Sequence, residues 1–206
     1  MTQRTRHCTL SGVPVHFEEP ALTKIREADL FSHLDGQRRF HGVGFSLLQH
    51  TALCIHLGSA LAQDERVSKD EEHQLLRYVA CHDLHEAYVG DMVKGLKDLC
   101  PDYQRIETLW EKHVHEHFGL TWPLDDHTAK FVHEVDHQAL CVEALLIENP
   151  AFGWMMEDRQ KRGLTTSALK CASFVSARPE TLWKMVLAAL HGEGALPPTG
   201  RRLQWR

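Results

Sequence analysis

The adjacent residues His82 and Asp83, in the string HDLHEAYVGD, are the most informative chemical feature of this sequence. They offer a metal ion one imidazole nitrogen and one carboxylate oxygen from a single point on the backbone. Two ligands do not complete a site, but His50 lies upstream in FSLLQHTALCIHLGSAL and Asp136 lies downstream in FVHEVDHQALCVEALLI. Both runs are typical of packed helices, so these four side chains are the predicted metal ligands.

A set of two imidazoles and two carboxylates suits a divalent first-row ion and leaves one or two positions for water. The predicted cofactor is therefore one divalent transition-metal ion, for which Mn, Co, Fe, Ni and Zn are compatible and Mg is a further candidate. Water bound to such an ion loses a proton more readily than bulk water and becomes a nucleophile near neutral pH. A His-Asp pair alone more often forms a helix-end hydrogen bond, and the two additional ligands favour the metal hypothesis.

Two acidic residues follow the doublet at spacings that suggest catalytic roles. Glu86 follows His82 by four positions, so both share a helix face if the helix continues. A carboxylate there could take a proton from the bound water or orient it. Asp91 comes directly after Gly90, which lets the backbone turn back towards the site. The alternatives are a solvated helix carboxylate for Glu86 and an N-cap or turn residue for Asp91.

The ordered set His50, His82-Asp83 and Asp136 resembles the H…HD…D signature of HD-domain metal-dependent phosphohydrolases. The string from His82 to Asp91, HD-x-x-E-x-x-x-G-D, is similar to the subgroup of bacterial 5′-deoxynucleotidases and phage deoxynucleoside triphosphate hydrolases. RFHG before FSLLQHT resembles that subgroup's arginine-aromatic loop, and EVDHQALCVEA resembles the helix of its last Asp ligand. The resemblance covers roughly residues 7–148.

The resemblance implies an all-α HD-domain helical bundle around one divalent metal, and hydrolysis of a phosphate ester or anhydride of a nucleotide. It implies that Glu86 assists proton transfer and that Asp91 orients water or protonates the leaving oxygen. The metal ligands would be His50, His82, Asp83 and Asp136. The expected substrate-binding residues are Arg39, which would pair with phosphate, Phe40, His85 and Lys97. A homodimer is expected, because members of the subgroup often dimerise.

One stretch departs from the family pattern. The nucleotidases commonly have a proline-rich turn that leads to a lysine after the Gly-Asp pair, whereas this chain has MVKGLK. Lys97 corresponds to the family lysine, and Lys94 is an additional charge. The substrate loop, and with it the identity of the substrate, is therefore open.

Two other functions compete with a nucleotide hydrolase. One is an HD hydrolase of another phosphorylated small molecule, such as an alarmone or a cyclic nucleotide. The other is a metal-stabilised binding protein without catalysis. Glu86, Asp91 and Arg39 argue against the binding protein, because a structural site needs no base, acid or phosphate clamp. The absence of an HD-GYP string argues against a cyclic-dinucleotide enzyme.

Other histidines and the tryptophans have simpler interpretations. His113 and His117 have a spacing that can bind zinc, but no carboxylate or cysteine pattern completes a site around them. His133 and His137 flank Asp136 and are interpreted as outer-shell or surface groups. The tryptophans are predicted to lie in the core or in interfaces rather than to stack on bases; they are Trp110, Trp122, Trp154 and Trp183.

Hydrophobic periodicity predicts an all-α protein with a short β-hairpin in residues 7–17. Helices are expected from Pro20 through ALTKIREADLFSHL, at about 46–63, from about 69 through EEHQLLRYVACHDLHEAYV, at about 101–119, at about 125–148 and at about 179–191. DGQRRFHGVG and the basic stretch around Gly95 are predicted loops, and residues 192–206 form a predicted extended tail. Apolar residues occur almost all round the helices at 46–63 and 69–89, which should therefore be central.

Composition limits the class of protein. The 206 residues suit a single domain, 1–206, with its core at about 20–150, and the net charge of −5 argues against a broad surface for nucleic acid. No apolar stretch reaches membrane-spanning length, and residues 1–12 lack the core of a signal peptide, so no membrane partner is expected. The six cysteines form no CxxC pair, which predicts reduced thiols in a cytoplasmic protein.

Overall fold

The computed structural model describes residues 7–42, 44–147 and 177–192. The described chain is all-α with one two-stranded hairpin, which confirms the predicted fold class. Its α-helices are α1 (Glu27–Gly36), α2 (Arg39–Gly42), α3 (Leu47–Asp64), α4 (Lys69–Cys81), α5 (Glu86–Val89), α6 (Lys94–Lys97), α7 (Pro101–His117), α8 (Asp126–Ile147) and α9 (Pro179–His191). The predictions for Trp154, for one of the six cysteines (Cys171) and for the tail after residue 192 fall outside the described residues.

The predicted hairpin is present as strands β1 (His7–Cys8) and β2 (Pro14–Val15), which pair antiparallel. Its turn is tied to α1, since the Asp29 carboxylate accepts hydrogen bonds from the Ser11 amide at 3.0 Å and from the Ser11 hydroxyl at 2.6 Å. Val15 is buried in the core. The hairpin therefore closes one end of the helical assembly.

The helix predicted from Pro20 onward is wrong in its first half. Pro20–Leu22 forms a single 3₁₀ turn, and the chain stays extended until α1 begins at Glu27. Thr23 has an extended backbone, and its hydroxyl accepts a hydrogen bond from the His16 amide at 2.9 Å. A side chain that bonds to a distant backbone group offers the chain an alternative to the helix.

Helix α3 is the central element, as its apolar sequence predicts. It packs against α1, α4, α8 and α9, and it buries side chains on all sides. Ser46 begins it with a capping box, in which its hydroxyl accepts from the Gln49 amide at 3.1 Å and the Gln49 side chain accepts from the Ser46 amide at 2.8 Å. A side chain such as His50, one turn further on, is therefore held on a rigid and fully buried helix.

The helix predicted to run from residue 69 to residue 89 is interrupted. Helix α4 ends at Cys81, and the next residues form tight turns in which the Leu84 amide bonds to the Cys81 carbonyl and the Glu86 amide to the Asp83 carbonyl. Helix α5 then begins at Glu86. The His82-Asp83 doublet thus lies at a helix end, and the shared helix face expected for His82 and Glu86 is not continuous.

Smaller differences concern the predicted loops. Residues Lys94–Lys97, expected to be a loop, form the single turn α6, and Arg39–Gly42 form the single turn α2.

Trp110 is fully buried and stacks on Tyr88 with ring centroids 4.5 Å apart, which confirms its assignment to the core. Across the described ranges, none of the helices combines the length and apolar character needed to cross a membrane.

His115 is a buried histidine that the sequence did not single out. It lies on α7 between the rings of Tyr78 and Trp122, and its Nδ1 donates a hydrogen bond to the Glu111 carbonyl at 2.9 Å. The other nitrogen, Nε2, is buried without a hydrogen-bond partner. Burial therefore lowers the pKa of His115 to about 4.

Between pH 7 and pH 5, the variant His115→Phe is expected to lose less unfolding free energy than the wild type. At pH 5 an unfolded histidine with a pKa of about 6.5 binds a proton, while the folded side chain stays neutral, so protons favour unfolding. The wild type should lose about 2 kcal/mol of unfolding free energy through this residue between pH 7 and pH 5. Urea unfolding of both proteins at both pH values measures the difference. An equal loss in the variant would contradict the prediction.

Candidate metal centre

The four predicted metal ligands converge in the folded chain. His50 comes from α3, His82 and Asp83 from the turn after α4, and Asp136 from α8. His50 Nε2 lies 3.4 Å from Asp83 Oδ2 and 3.2 Å from Asp136 Oδ1, and His82 Nε2 lies 3.2 Å from the same Asp83 oxygen. These separations are those expected of atoms that share one cation.

Both imidazoles are oriented by hydrogen bonds at their other nitrogen. His82 Nδ1 lies 2.7 Å from the Val79 carbonyl oxygen, which can only accept, so Nδ1 carries the hydrogen. His50 Nδ1 lies 2.9 Å from Glu143 Oε1 and donates to that carboxylate. In the neutral rings the free lone pair is therefore on Nε2, which in both cases faces the cluster. Outer-shell donors and acceptors of this kind orient histidine ligands in metal sites.

Cys54 is a fifth donor, which the sequence analysis counted only among the six reduced thiols. Its Sγ is fully buried and lies 3.5 Å from His50 Nε2. Ligand atoms of His50, Cys54, His82 and Asp136 all lie within 4.8 Å of one another, so the group could hold a metal ion. Cys54 follows His50 by four positions on α3, a spacing that places both on one helix face.

The residues of this centre fit a bound cation. His82 Nε2 is buried without a hydrogen bond of acceptable geometry, although Asp83 Oδ2 is only 3.2 Å away. A buried polar atom without a partner is costly, and coordination of a cation would satisfy it. The donors also include two types, nitrogen and carboxylate oxygen, that divalent transition metals accept.

The electrostatics of the cluster show strong mutual stabilisation of charge. Burial alone would raise the pKa of Asp83, but the nearby imidazoles of His82 and His50 hold it well below its usual range. Burial would likewise lower the pKa of His82, yet the Asp83 carboxylate raises it well above its usual value. Without a cation, protons on the imidazoles balance the carboxylates. A cation that binds here must therefore displace protons.

Behind His50 lies a carboxylate that the sequence analysis missed. Glu143, on α8 and fully buried, bonds to His50 through Oε1, and its Oε2 lies 3.2 Å from Arg39 Nε. Arg39 Nη1 also lies 3.7 Å from Asp83 Oδ2. The arginine expected to bind phosphate is thus already surrounded by two carboxylates. Burial alone would lower the pKa of Arg39, but the negative charges of Glu143 and Asp83 outweigh burial and raise this pKa. The Arg39 guanidinium therefore stays positively charged.

The variant Glu143→Gln is expected to weaken metal binding by about 10- to 100-fold, the usual cost of losing an outer-shell partner of a ligand. The amide has nearly the same shape but no charge, so it orients the His50 ring less firmly and no longer neutralises Arg39. Calorimetric titration with Zn²⁺ or Co²⁺ measures the affinity. Glu134→Gln, on the same helix, is the matched control. Unchanged affinity in Glu143→Gln would show that the contact with His50 is incidental.

Glu86 and His85 lie in a second buried group beside the first. Ligand atoms of His85, Glu86 and Glu107 lie within 4.8 Å of one another, and the Lys97 ammonium lies 2.5 Å from Glu107 Oε1. Glu86 Oε2 and His85 Nδ1 are buried without hydrogen-bond partners. Burial, and then the charges of Asp83 and Asp91, raise the pKa of Glu86 well above its usual value.

The expected substrate residues have distinct surroundings. Lys97 pairs with Glu107 and lies over the Tyr103 ring, with Nζ 5.9 Å from the ring centroid. Phe40 is half-buried, has a left-handed backbone with φ of 52°, and its ring centroid lies 5.8 Å from the Arg39 guanidinium carbon. His85 is buried against Glu107, at 3.7 Å. Their contacts with substrate stay predictions.

The predicted turn at Gly90 is present. Gly90 has a φ of 85°, which glycine adopts without strain, and its carbonyl accepts a hydrogen bond from the Tyr103 hydroxyl at 2.5 Å. Gln37 then links the two acidic positions, because its side-chain nitrogen donates to the Glu86 carbonyl at 3.0 Å and its oxygen accepts from the Asp91 amide at 3.2 Å. The Asp91 side chain itself is exposed.

The remaining histidines do not form a rival centre in the described ranges. The two metal-capable groups found there are the one around His50 and the one around His85. His113 Nε2 instead lies 3.3 Å from the Thr23 carbonyl, and His137 Nε2 lies 3.7 Å from Cys141 Sγ.

Comparison of the whole chain with protein-family models and with curated proteins finds no match. The assignment of a function therefore depends on the geometry of the centre itself.

Proposed function

We propose that this chain is a metal-dependent phosphohydrolase of the HD type, with a deoxynucleotide as the first candidate substrate. The convergence of His50, His82, Asp83 and Asp136 from three separate segments carries the proposal. A set of two imidazoles and two carboxylates around the fully buried His50, with each ring presenting Nε2, is the arrangement expected for a divalent ion. The resemblance to the H…HD…D signature adds the reaction class.

A divalent ion in this centre would supply the positive charge that activates water and polarises a phosphoryl oxygen. The four ligands hold that charge beside the fully buried His50, where electrostatic stabilisation is stronger than in water. Glu143 fixes the His50 ring, and the Val79 carbonyl fixes the His82 ring. The protein thereby supplies a preorganised position for the phosphoryl group rather than a covalent nucleophile.

Proton transfer is assigned to Glu86. Its carboxyl is buried with one free oxygen, and the negative charges of Asp83 and Asp91 favour its protonated form. A carboxyl group whose pKa is raised keeps its proton to higher pH and can exchange it with water and with a leaving oxygen. Asp91, exposed after the Gly90 turn, is proposed to orient water or protonate the leaving oxygen.

Substrate binding is proposed for the charged groups around this centre. Arg39 would contact a phosphate through its terminal nitrogens. Lys97 would add positive charge once its ion pair with Glu107 is broken. Phe40 and His85 would contact the sugar or base. We also propose that the substrate is a nucleotide, that the chain forms a homodimer and that it is cytoplasmic.

The test is product analysis on a panel of deoxynucleoside monophosphates, deoxynucleoside triphosphates, cyclic nucleotides and alarmones with Mn²⁺, Co²⁺, Zn²⁺ or Mg²⁺. Release of phosphate from a monophosphate, or of triphosphate from a triphosphate, supports a nucleotidase, and release of pyrophosphate from an alarmone supports the alternative substrate. The variant Asp136→Ala, purified in parallel, identifies activity from contaminants. Hydrolysis by both proteins, or by neither, contradicts the proposal, and tight metal binding without hydrolysis favours a metal-stabilised binding protein.

A further inference from the structure

Cys54 is the buried donor of the centre that the proposed ligand set leaves unused. Its Sγ lies 3.5 Å from His50 Nε2 but 4.0 Å from His50 Nδ1. The sulfur is therefore nearer to Nε2, the nitrogen that carries the lone pair of the neutral imidazole. Together with His82 and Asp136, the two residues form a set of donors in which every atom is within 4.8 Å of the others.

We infer that Cys54 is a thiolate ligand of the ion at this centre, so that the site selects a thiophilic ion such as Zn²⁺ or Co²⁺ over Mg²⁺. The inference rests on the metal site of the proposed function but is independent of the reaction. It concerns a residue outside the H…HD…D signature, and the sulfur donor belongs to this chain's own helix α3.

One distance in particular agrees with coordination. A zinc ion with bonds of about 2.3 Å to sulfur and about 2.0–2.1 Å to nitrogen holds those two atoms about 3.1–3.6 Å apart for bond angles of about 90–110°. Cys54 Sγ and His50 Nε2 have this separation. Because α3 is fully buried at both positions, neither donor can turn towards solvent, and the helix fixes the separation between them.

The selectivity follows from the type of donor. Carboxylates and water suit Mg²⁺ and Mn²⁺, whereas thiolates suit softer ions. With Asp83 included, five protein donors would leave one position for water on a six-coordinate ion. A sulfur ligand is therefore compatible with hydrolysis while it disfavours Mg²⁺.

Titration of the purified protein with Co²⁺ tests the inference, because a thiolate bound to Co²⁺ gives a charge-transfer band in the near ultraviolet. The wild type should show the band, and Cys54→Ser should bind Co²⁺ without it. Cys81→Ser, which removes another fully buried thiol, should keep the band. Competition between Zn²⁺ and Mg²⁺ should show that Cys54→Ser lowers the preference for Zn²⁺ by at least about 10-fold.

A Co²⁺ complex of the wild type without the band, or Cys54→Ser with an unchanged band, would overturn the inference. A wild type that binds no Co²⁺ would overturn both the inference and the metal site. The band without hydrolysis of any substrate would leave the inference standing and remove the phosphohydrolase. If Cys54→Ser does not fold, X-ray absorption of the Zn²⁺-loaded wild type decides, since a sulfur neighbour at about 2.3 Å supports the ligand and its absence refutes it.

Discussion

Replacement of His82 by alanine is expected to remove both the metal ion and the hydrolytic activity. His82 Nε2 is buried against Asp83, and its ring is held by the Val79 carbonyl, so the variant lacks a nitrogen donor that is oriented towards the cluster. The loss of a direct ligand should weaken metal binding by more than about 100-fold, since even the loss of an outer-shell partner lowers metal affinity by about 10- to 100-fold. Activity should fall to the level of the blank.

Metal analysis after dialysis and calorimetric titration measure this effect. His73→Ala removes an exposed histidine from α4, the helix that leads to His82, and should leave both properties unchanged. Circular dichroism of the metal-free proteins shows whether the variant is folded. A folded His82→Ala protein that retains a full equivalent of metal would exclude His82 as a ligand.

Replacement of Glu86 by glutamine is expected to spare metal binding and lower turnover by about 10²- to 10⁴-fold, the usual range for loss of general acid–base catalysis. The amide keeps the size of the buried side chain but cannot exchange a proton. Glu86 belongs to the group with His85 and Glu107, so its loss should not remove a donor from the ion beside His50.

The comparison needs a metal titration and a full kinetic analysis of the same preparation. Glu116→Gln, an exposed carboxylate on α7, is the control for charge alone. Full turnover in Glu86→Gln would remove Glu86 from the reaction. Loss of metal binding together with turnover would instead make Glu86 part of the metal site.

The sequence predicted the elements whose pattern is local. The apolar residues around His50 indicated a buried central helix, and α3 has nearly the expected bounds, Leu47–Asp64. The hairpin and α9 were also predicted, because alternation, turn residues and helix-start proline are short-range signals. The convergence of His50, the doublet and Asp136 was expected from their donor types and from the resemblance of their order to the H…HD…D signature, because no local pattern links residues so far apart in sequence.

Other features could not be read from the sequence. The end of α4 at Cys81 has no glycine or proline to mark it, and the turns at His82 and Asp83 are closed by short-range backbone hydrogen bonds. Cys54 and Glu143 had a usable signal, since they follow His50 by four positions and Asp136 by seven on their helices. A buried cysteine and a helix carboxylate are so common that this spacing did not separate them from core and surface residues.

The carboxylate of Glu143 joins two parts of the site that have different tasks. One oxygen holds the His50 ring and the other faces Arg39, the proposed phosphate contact. An anion that draws the Arg39 guanidinium towards itself would break its contact with Glu143. The Glu143 carboxylate would then interact with His50 only, which would make the His50 imidazole a stronger electron donor to the metal. Cation affinity and anion affinity would then be thermodynamically linked, so that each ligand improves the binding of the other by the same factor.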